Sequence, residues 1–441
     1  MKLLRVILLV VTCVVSLVSS SCNSDATDIP DEITYIAAAK SGYHVPIHGS
    51  LETVKGVPIL RLWGSHFRMG YALGYLCADR IMNLLEYWQK NLFENYSLTY
   101  GQLKNRMDRY VLWADDDKIE VEGCLYGIQA ALGGLPIITN DFTEGEPKQL
   151  SVEMLLVNNC GPQLLQVEGG CSGFAAWGEA TGDGQTRIGA NHDFFPEWAD
   201  YWVWVVRKPN HGLKTVSLQF IDGLLSTVAK GMNETGLALT LQGSYAVANP
   251  SWITINEQGY TSIEVVRYIL EHVSAGPNMV CDIIERYQNV PSINSGITIY
   301  AQKKLPDANL QPDQMAVVIE KDAWGFNARL PSHNPLSNFY LKDAIIATNH
   351  YLIRTAYETF QGSIDRYNGI LNVLSETVIS GVEQMQLVLQ AASQEWTIDS
   401  VYMEPDTLTI YISYGTTEGE PACFLTPVKF TWDELFDPIP D

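Results

Sequence analysis

Gly169-Gly170-Cys171-Ser172-Gly173-Phe174-Ala175-Ala176-Trp177 is followed by a turn at Gly182-Asp183-Gly184 and a second run ending Gly189-Ala190-Asn191-His192-Asp193. The short alternating runs around a Gly-rich turn predict a β-hairpin. Its first strand begins at a thiol and its second ends at a carboxylate, so pairing brings Cys171 and Asp193 together. A cysteine after glycine at a strand start, with a carboxylate returned beside it, points to a nucleophile exposed by cutting the chain in front of it. Taken by itself, the pattern fits a small buried structural cysteine better, since free cysteine is among the most buried residue types. The rest of the chain shifts the balance.

Outward from the hairpin, two patterns separate. From Ser65 to about Cys160 the apolar residues recur at helical spacing, as in Val121, Leu125, Ile128 and Leu132. After Cys171 the chain becomes strand-rich. Residues 201–206 and 215–220 read as adjacent strands and 236–241 as another. Thr261-Ser262-Ile263-Glu264 is a capping box opening a helix, and Met279–Tyr287 is a second helix. Strands are expected again at 296–301, 315–319 and 344–348, helices at 363–374 and 382–392, and a last strand at 407–414. Strands, helix pair, strands, helix pair, strand is an α+β order that suits two sheets face to face with helices outside, a four-layer αββα sandwich. The aromatic content, 11 tryptophans and 22 tyrosines, falls mostly among apolar neighbours and reads as core.

Four segments carry a family resemblance. They are Gly64-Ser65-His66-Phe67-Arg68-Met69-Gly70-Tyr71-Ala72-Leu73-Gly74, the hairpin Cys171–Asp193, Gly231-Met232-Asn233-Glu234-Thr235-Gly236-Leu237, and Thr348-Asn349-His350-Tyr351 followed by Ser363-Ile364-Asp365-Arg366-Tyr367. In order and spacing, over roughly residues 58 to 415, the chain resembles cysteine Ntn hydrolases. Within them it is most similar to the autoproteolytic, penicillin-acyltransferase-like acyltransferase/hydrolase family, related to choloylglycine hydrolase and penicillin V acylase. The resemblance implies the same αββα sandwich, preceded by a mostly helical pro-segment or small subunit. It also implies cleavage between Gly170 and Cys171 into two chains that can stay together as a heterodimer. Cys171 would be the nucleophile, Asp193 would hold its α-amine, Asn349 would donate an amide hydrogen bond to the oxyanion or the amine, and Arg366 would favour the thiolate. Gln242 and Asn233 are the implied oxyanion amides. Relatives usually carry an arginine three residues before the hairpin aspartate; here that position is Ala190.

The chemistry needs no separate base. A free α-amine titrates near ~8 and can take the proton of its own thiol. The elbow Gly-x-Ser-x-Gly fails at Ser172, because Phe174 stands where the second glycine belongs. The expected substrate is a small molecule with a linear, non-peptide amide. An ester deacylase of the phospholipase-B-like kind and a non-enzymatic, glycan-binding surface lipoprotein are the alternatives.

With 46% hydrophobic and 18% charged residues in 441, the chain can bury a large core. A formal charge of −22 argues against nucleic acid as a partner. The eight histidines show no ligand spacing and no two cysteines form Cys-x-x-Cys, so neither a metal nor another cofactor is expected. Lys2, Arg5, an apolar core over 6–18 and Ser19-Ser20-Ser21-Cys22 make residues 1–21 a signal peptide. Cysteine after small residues predicts lipidation of Cys22 in a bacterial lipoprotein, exported to the periplasm or outer-membrane surface and anchored to the membrane; plain secretion is the alternative. The domain reading is then 1–21 leader, 22–45 lipidated tether, 46–170 helical pro-segment or small subunit, and 171–441 catalytic domain. The six remaining cysteines are expected to be mostly buried thiols.

Overall fold

The computed structural model describes residues 31–440 other than 166–169, 195–198, 200, 222–227, 245–257, 292, 294, 307, 323, 334–340, 355–360 and 416–419. The leader, Cys22 and Gly169 lie outside the described residues. The chain divides into two compact units, Met1–Val45 and Pro46–Asp441. The first holds α1 (Glu32–Lys40), begun by Asp31, whose carboxylate accepts the Thr34 N–H at 3.0 Å. Part of the stretch read as a tether is therefore helical. Its three successive alanines and acidic start favour that conformation.

The second unit opens with a hairpin, β1 (Gly49–Val54) and β2 (Val57–Gly64). Helices α2 (His66–Leu76), α3 (Ala78–Tyr87), α4 (Tyr100–Tyr110) and α5 (Asp115–Leu132) follow. A short strand pair, β3 (Ile137–Ile138) and β4 (Lys148–Gln149), leads to α6 (Val152–Leu165). Then come β5 (Gly170–Gly178), β6 (Gly184–Asp193), β7 (Trp202–Pro209), β8 (Thr215–Phe220), β9 (Val228–Asn233) and β10 (Leu237–Gln242). Helices α7 (Ser262–His272) and α8 (Met279–Asn289) precede β11 (Gly296–Gln302), a short α9 (Pro312–Met315), β12 (Ala316–Asp322), β13 (Gly325–Arg329) and β14 (Ala344–Ala347). The chain ends with α10 (Gln361–Glu376), α11 (Val382–Gln390), β15 (Thr397–Glu404), β16 (Thr409–Tyr414), β17 (Val428–Thr431) and α12 (Trp432–Phe436).

Two sheets result. One runs β1-β2-β7-β8-β9-β10-β11-β12-β13 and the other β14-β5-β6-β15-β16-β17. Side-chain alternation sorts each strand between two cores. Ala175, Trp177, Ile345, Ala238, Ile297, Ile299 and Val318 share the core between the sheets. Phe174, Ala176 and Ile346 face Ile370, Leu374, Val388 and Leu389 of α10 and α11. Leu237, Leu239, Val317 and Ile319 face Val265, Ile269 and Ile283 of α7 and α8. The layering is α7/α8, large sheet, small sheet, α10/α11, the expected α+β sandwich.

The predicted hairpin, the strand pair β7–β8 and the helix pairs are all present, and both bonds of the Thr261–Glu264 capping box form. The strand expected last at 407–414 is not last, because β17 follows it. The sequence reading also assigns nothing to β1, β2, β13 or β15, and reaches β9 only at its end, through the strand-turn-strand resemblance of 231–237. Their runs mix apolar with buried polar residues such as Arg61, Lys230 and Asp399, which hides the alternation. The segment 46–170 is helical in its middle but not throughout, since β2 pairs in parallel with β7 inside the large sheet. Among the described residues no helix is long and apolar enough to cross a membrane. All six cysteines there are free, five of them buried and Cys281 exposed.

Helices α2 and α5 cross at van der Waals distance. A side-chain carbon on Gly70 would lie 1.9 Å from the Glu120 carbonyl oxygen, and one on Gly127 would lie 2.1 Å from that of Tyr71. The crossing seats Glu120 against the main body. Its carboxylate accepts from Arg207 of β7 at 2.9 and 2.8 Å and from Arg267 of α7 at 2.5 Å. Burial would push the Glu120 carboxyl up, but Arg207, Arg267 and the His66 contact outweigh it and hold it well below the usual range. Breaking a buried pair strands the other charge. Arg207→Met is therefore expected to lower unfolding free energy in urea by about 3–5 kcal/mol at neutral pH. Because the folded carboxyl is depressed, that difference should be present above about pH 4.5 and shrink as the pH falls through the depressed value. A loss under about 1 kcal/mol would contradict the assignment.

Candidate active site

The hairpin places Cys171 at the start of β5, where it is buried. β5 and β6 pair in register, Gly170 opposite Asp193 and Cys171 opposite His192. A side-chain carbon on Gly170 would fall 2.9 Å from the Asp193 Cβ and 3.0 Å from its Oδ2, so glycine is what lets the carboxylate lie against the Gly170–Cys171 bond. Alternation puts Cys171 and Gly173 on the face shared with Ala175 and Trp177, toward the large sheet, and Ser172 on the α10 side.

Two side chains hold the peptide units around Cys171, and Asp193 and Thr397 extend the cluster. Its N–H donates to Asn349 Oδ1 at 2.9 Å. Arg366, from α10, donates through Nη1 to the Cys171 carbonyl, to Ser172 Oγ at 2.8 Å and to Asp193 Oδ2 at 3.4 Å. Through Nη2 it donates to Asn349 Oδ1 at 2.6 Å. Asp193 also accepts from Thr397 Oγ1 of β15 at 2.7 Å. Burial raises the Asp193 carboxyl, against Arg366, Thr397, His192 and Lys230, which draw it down. Cys171, Asp193, Asn349 and Arg366, distant in sequence, thus meet in one buried cluster.

The contacts of three residues differ from those the resemblance implies. Asn349 does not present its amide hydrogens to Cys171. Two donors, the Cys171 N–H and Arg366, converge on its oxygen, and its nitrogen donates to the Gly243 carbonyl at 2.7 Å. Arg366 grips backbone and carboxylate instead of serving chiefly the thiol. Asn233 lies away from Cys171. Its amide donates to the Leu270 and Val273 carbonyls at 2.9 and 2.8 Å, and its oxygen accepts from the Thr235 and Leu237 N–H groups. It closes the β9–β10 turn, at the opposite end of β10 from Gln242. Gln242 does border the thiol face, its Nε2 lying 2.6 Å from where a side-chain carbon on Gly173 would be, and it donates to Thr240 Oγ1 at 2.9 Å. His350 faces Ser363 Oγ at 2.8 Å and burial lowers it to about 4, so it stays neutral.

The sequence reading missed the groups on the thiol's own face. Lys230 of β9 is buried and paired with Asp399 of β15. Asp399 also meets His192 Nδ1 at 2.9 Å. Burial would raise the Asp399 carboxyl, but Lys230 and His192 together keep it below its ordinary value. His192 packs edge-on against Trp202, with ring centroids 4.6 Å apart. A lysine inside Val228-Ala229-Lys230-Gly231-Met232 and an aspartate inside Ile398-Asp399-Ser400-Val401 were the available signals, charges within otherwise buried runs.

No known family profile and no curated protein matches the chain. Among solved structures it is similar to an ortholog of N-acylethanolamine-hydrolyzing acid amidase from Caenorhabditis elegans, at 16% identity and TM-score 0.39, covering 54% of this chain and 93% of that one. A mutant conjugated bile acid hydrolase from Clostridium perfringens is similar at 13% identity and TM-score 0.36, covering 60% and 97%. Penicillin V acylase from Agrobacterium tumefaciens is similar at 13% identity and TM-score 0.37, covering 60% and 88%.

Proposed function

We propose that the protein is an exported, lipid-anchored cysteine N-terminal-nucleophile enzyme of the autoproteolytic acyltransferase/hydrolase kind. It cuts itself between Gly170 and Cys171, then hydrolyses or transfers the acyl group of a linear, non-peptide amide through an acyl-enzyme on Cys171. The observation that carries this reading is the clamp on Cys171: nitrogen on Asn349, carbonyl on Arg366, and Asp193 across from Gly170. An ordinary buried cysteine has no use for a buried arginine and a buried carboxylate placed around its own backbone.

The first step forms a bond from Cys171 Sγ to the Gly170 carbonyl carbon and breaks that carbon's bond to the Cys171 nitrogen. The thiol proton ends on the departing nitrogen. Water then hydrolyses the thioester, leaving a carboxylate on Gly170 and returning hydrogen to sulfur. In the intact chain the thiol is pushed up to about 11 by burial and by Asp193. The cut places a new α-amine beside it, titrating near ~8, which can take the thiol proton. Asn349 Oδ1, already bound to this nitrogen, and Asp193 orient that amine. Attack on a substrate amide gives the acyl-enzyme and releases the amine product; water or a second amine then takes the acyl group.

Intact-mass analysis and N-terminal sequencing of the active preparation test the reading. Two chains, the second beginning at Cys171, are expected, with turnover of at least one member of a panel of N-acyl amides, bile-acid conjugates and penicillins. Full activity in an uncut chain would overturn it.

A further inference from the structure

Lys230 is the least expected charge in the molecule. It stands in the middle of β9, whose six residues are all buried. An ammonium there loses its hydration, at an effective cost of several kcal/mol, unless it is paired. Its partner is Asp399 from the facing sheet, and the second oxygen of Asp399 is held by His192. His192 is the register partner of Cys171, so their side chains leave the hairpin on the same face. The other residue of β6 on that face near the thiol is Ala190, which offers only a methyl group.

The second cation near Cys171, Arg366, is occupied elsewhere. Its guanidinium serves the Cys171 carbonyl, Ser172 Oγ, Asn349 and Asp193, groups at the backbone and on the α10 side of the strand. The charged and titratable groups around the sulfur are therefore Asp193 and His192 from β6, Asp399 from β15, Lys230 from β9 and Arg366 from α10. Among the described residues, Lys230 is the large-sheet cation whose charge acts on the thiol.

We propose that Lys230, clamped by Asp399 and braced through His192, is the positioning cation that stabilises the Cys171 thiolate from across the sandwich. The inference rests on the cysteine-nucleophile reading above and adds a group to it. Of the influences that lower the thiol, Lys230 acts most strongly, ahead of the Gly243 N–H and Arg366. An opposite charge within a few ångströms moves a pKa by about 1–3 units.

The test is the pH dependence of Cys171 alkylation by iodoacetamide in the full-length protein, read by peptide mass mapping so that Cys281 does not interfere. Lys230→Met is expected to raise the midpoint by about one unit, which lowers the rate about tenfold at any pH well below it. Lys230→Arg, which keeps the charge, should restore the wild-type midpoint. Lys230→Met/Asp399→Asn removes the stranded carboxylate and should show the same raised midpoint if the single variant fails to fold. Equal midpoints in wild type and either neutral variant would overturn the proposal. So would failure of both neutral variants to fold, which would make Lys230 a structural clamp between the sheets. Cys171→Ala keeps the two readings apart. If it retains turnover, the cysteine mechanism falls; if turnover needs Cys171 but the midpoints do not move, only the role of Lys230 falls.

Discussion

Cys171→Ala is expected to remain a single chain under conditions in which the wild-type protein is fully cut, and to lose turnover by about four decades or more. In the proposed mechanism the sulfur both attacks Gly170 and carries the acyl group, so its removal leaves no residual route through either step. The fold should survive. Cys171 is only 7% exposed, and trimming its sulfur leaves a small cavity at one strand end, a cost of about 1–2 kcal/mol. Thermal melts should therefore resemble wild type while maturation is abolished. Cys171→Ser, with a less acidic and weaker nucleophile, should cut slowly over hours or days. Cleavage at the same bond in the alanine variant would mean that another protease makes the cut, and the self-processing step would be lost.

Arg366→Met is the second large effect. Besides the Gly362 carbonyl of its own helix, one guanidinium joins four acceptors around Cys171, and methionine fills much of its volume while leaving all four without that donor. Asp193, already raised by burial, loses its strongest opposing charge and moves further toward the neutral acid. In the proposed mechanism neutral Asp193 no longer attracts the α-ammonium formed on cutting, and Asn349 Oδ1 keeps only the Cys171 N–H of its two donors. Removing one buried charged donor at a reacting centre costs about 3–4 kcal/mol of transition-state stabilisation. Maturation and turnover should both fall by about two to three decades. Arg366→Lys should rescue poorly, because a single ammonium does not reproduce the planar fork that spans these acceptors. Asp193→Asn should share the phenotype while Cys171 still alkylates. If Arg366→Met matures and turns over like wild type, the arginine is only a packed helix residue and the clamp argument fails.

The effects differ in how much of their basis the sequence contained. Cys171 and Asp193 were legible because a hairpin is a local object. Strand period and a Gly-rich turn set the register, and register alone brings residue 170 opposite 193. The helix over 262–272 was legible for the same reason, its capping box lying within four residues. Asn349 and Arg366 entered through family resemblance alone; the structure places both against Cys171, Asn349 through its oxygen and Arg366 through the Cys171 carbonyl. For Asn233, the spacing of residues 231–237 says nothing about which carbonyls of α7 lie beside it.

What the sequence by itself determined is the set of short-range decisions: the hairpin, the capped helices, the order of strands and helices that implies four layers. Only the tertiary structure decided which charges meet. Lys230 and Asp399 stand 169 residues apart and belong to different sheets, and Arg366 reaches the Cys171 carbonyl across 195 residues. A buried ion is tolerable only where packing supplies its partner, and that partner is chosen by the stacking of two sheets, which no local period encodes. The same buried charges interrupt the apolar runs of β9 and β15, so the strands that carry this part of the site were the ones the pattern concealed.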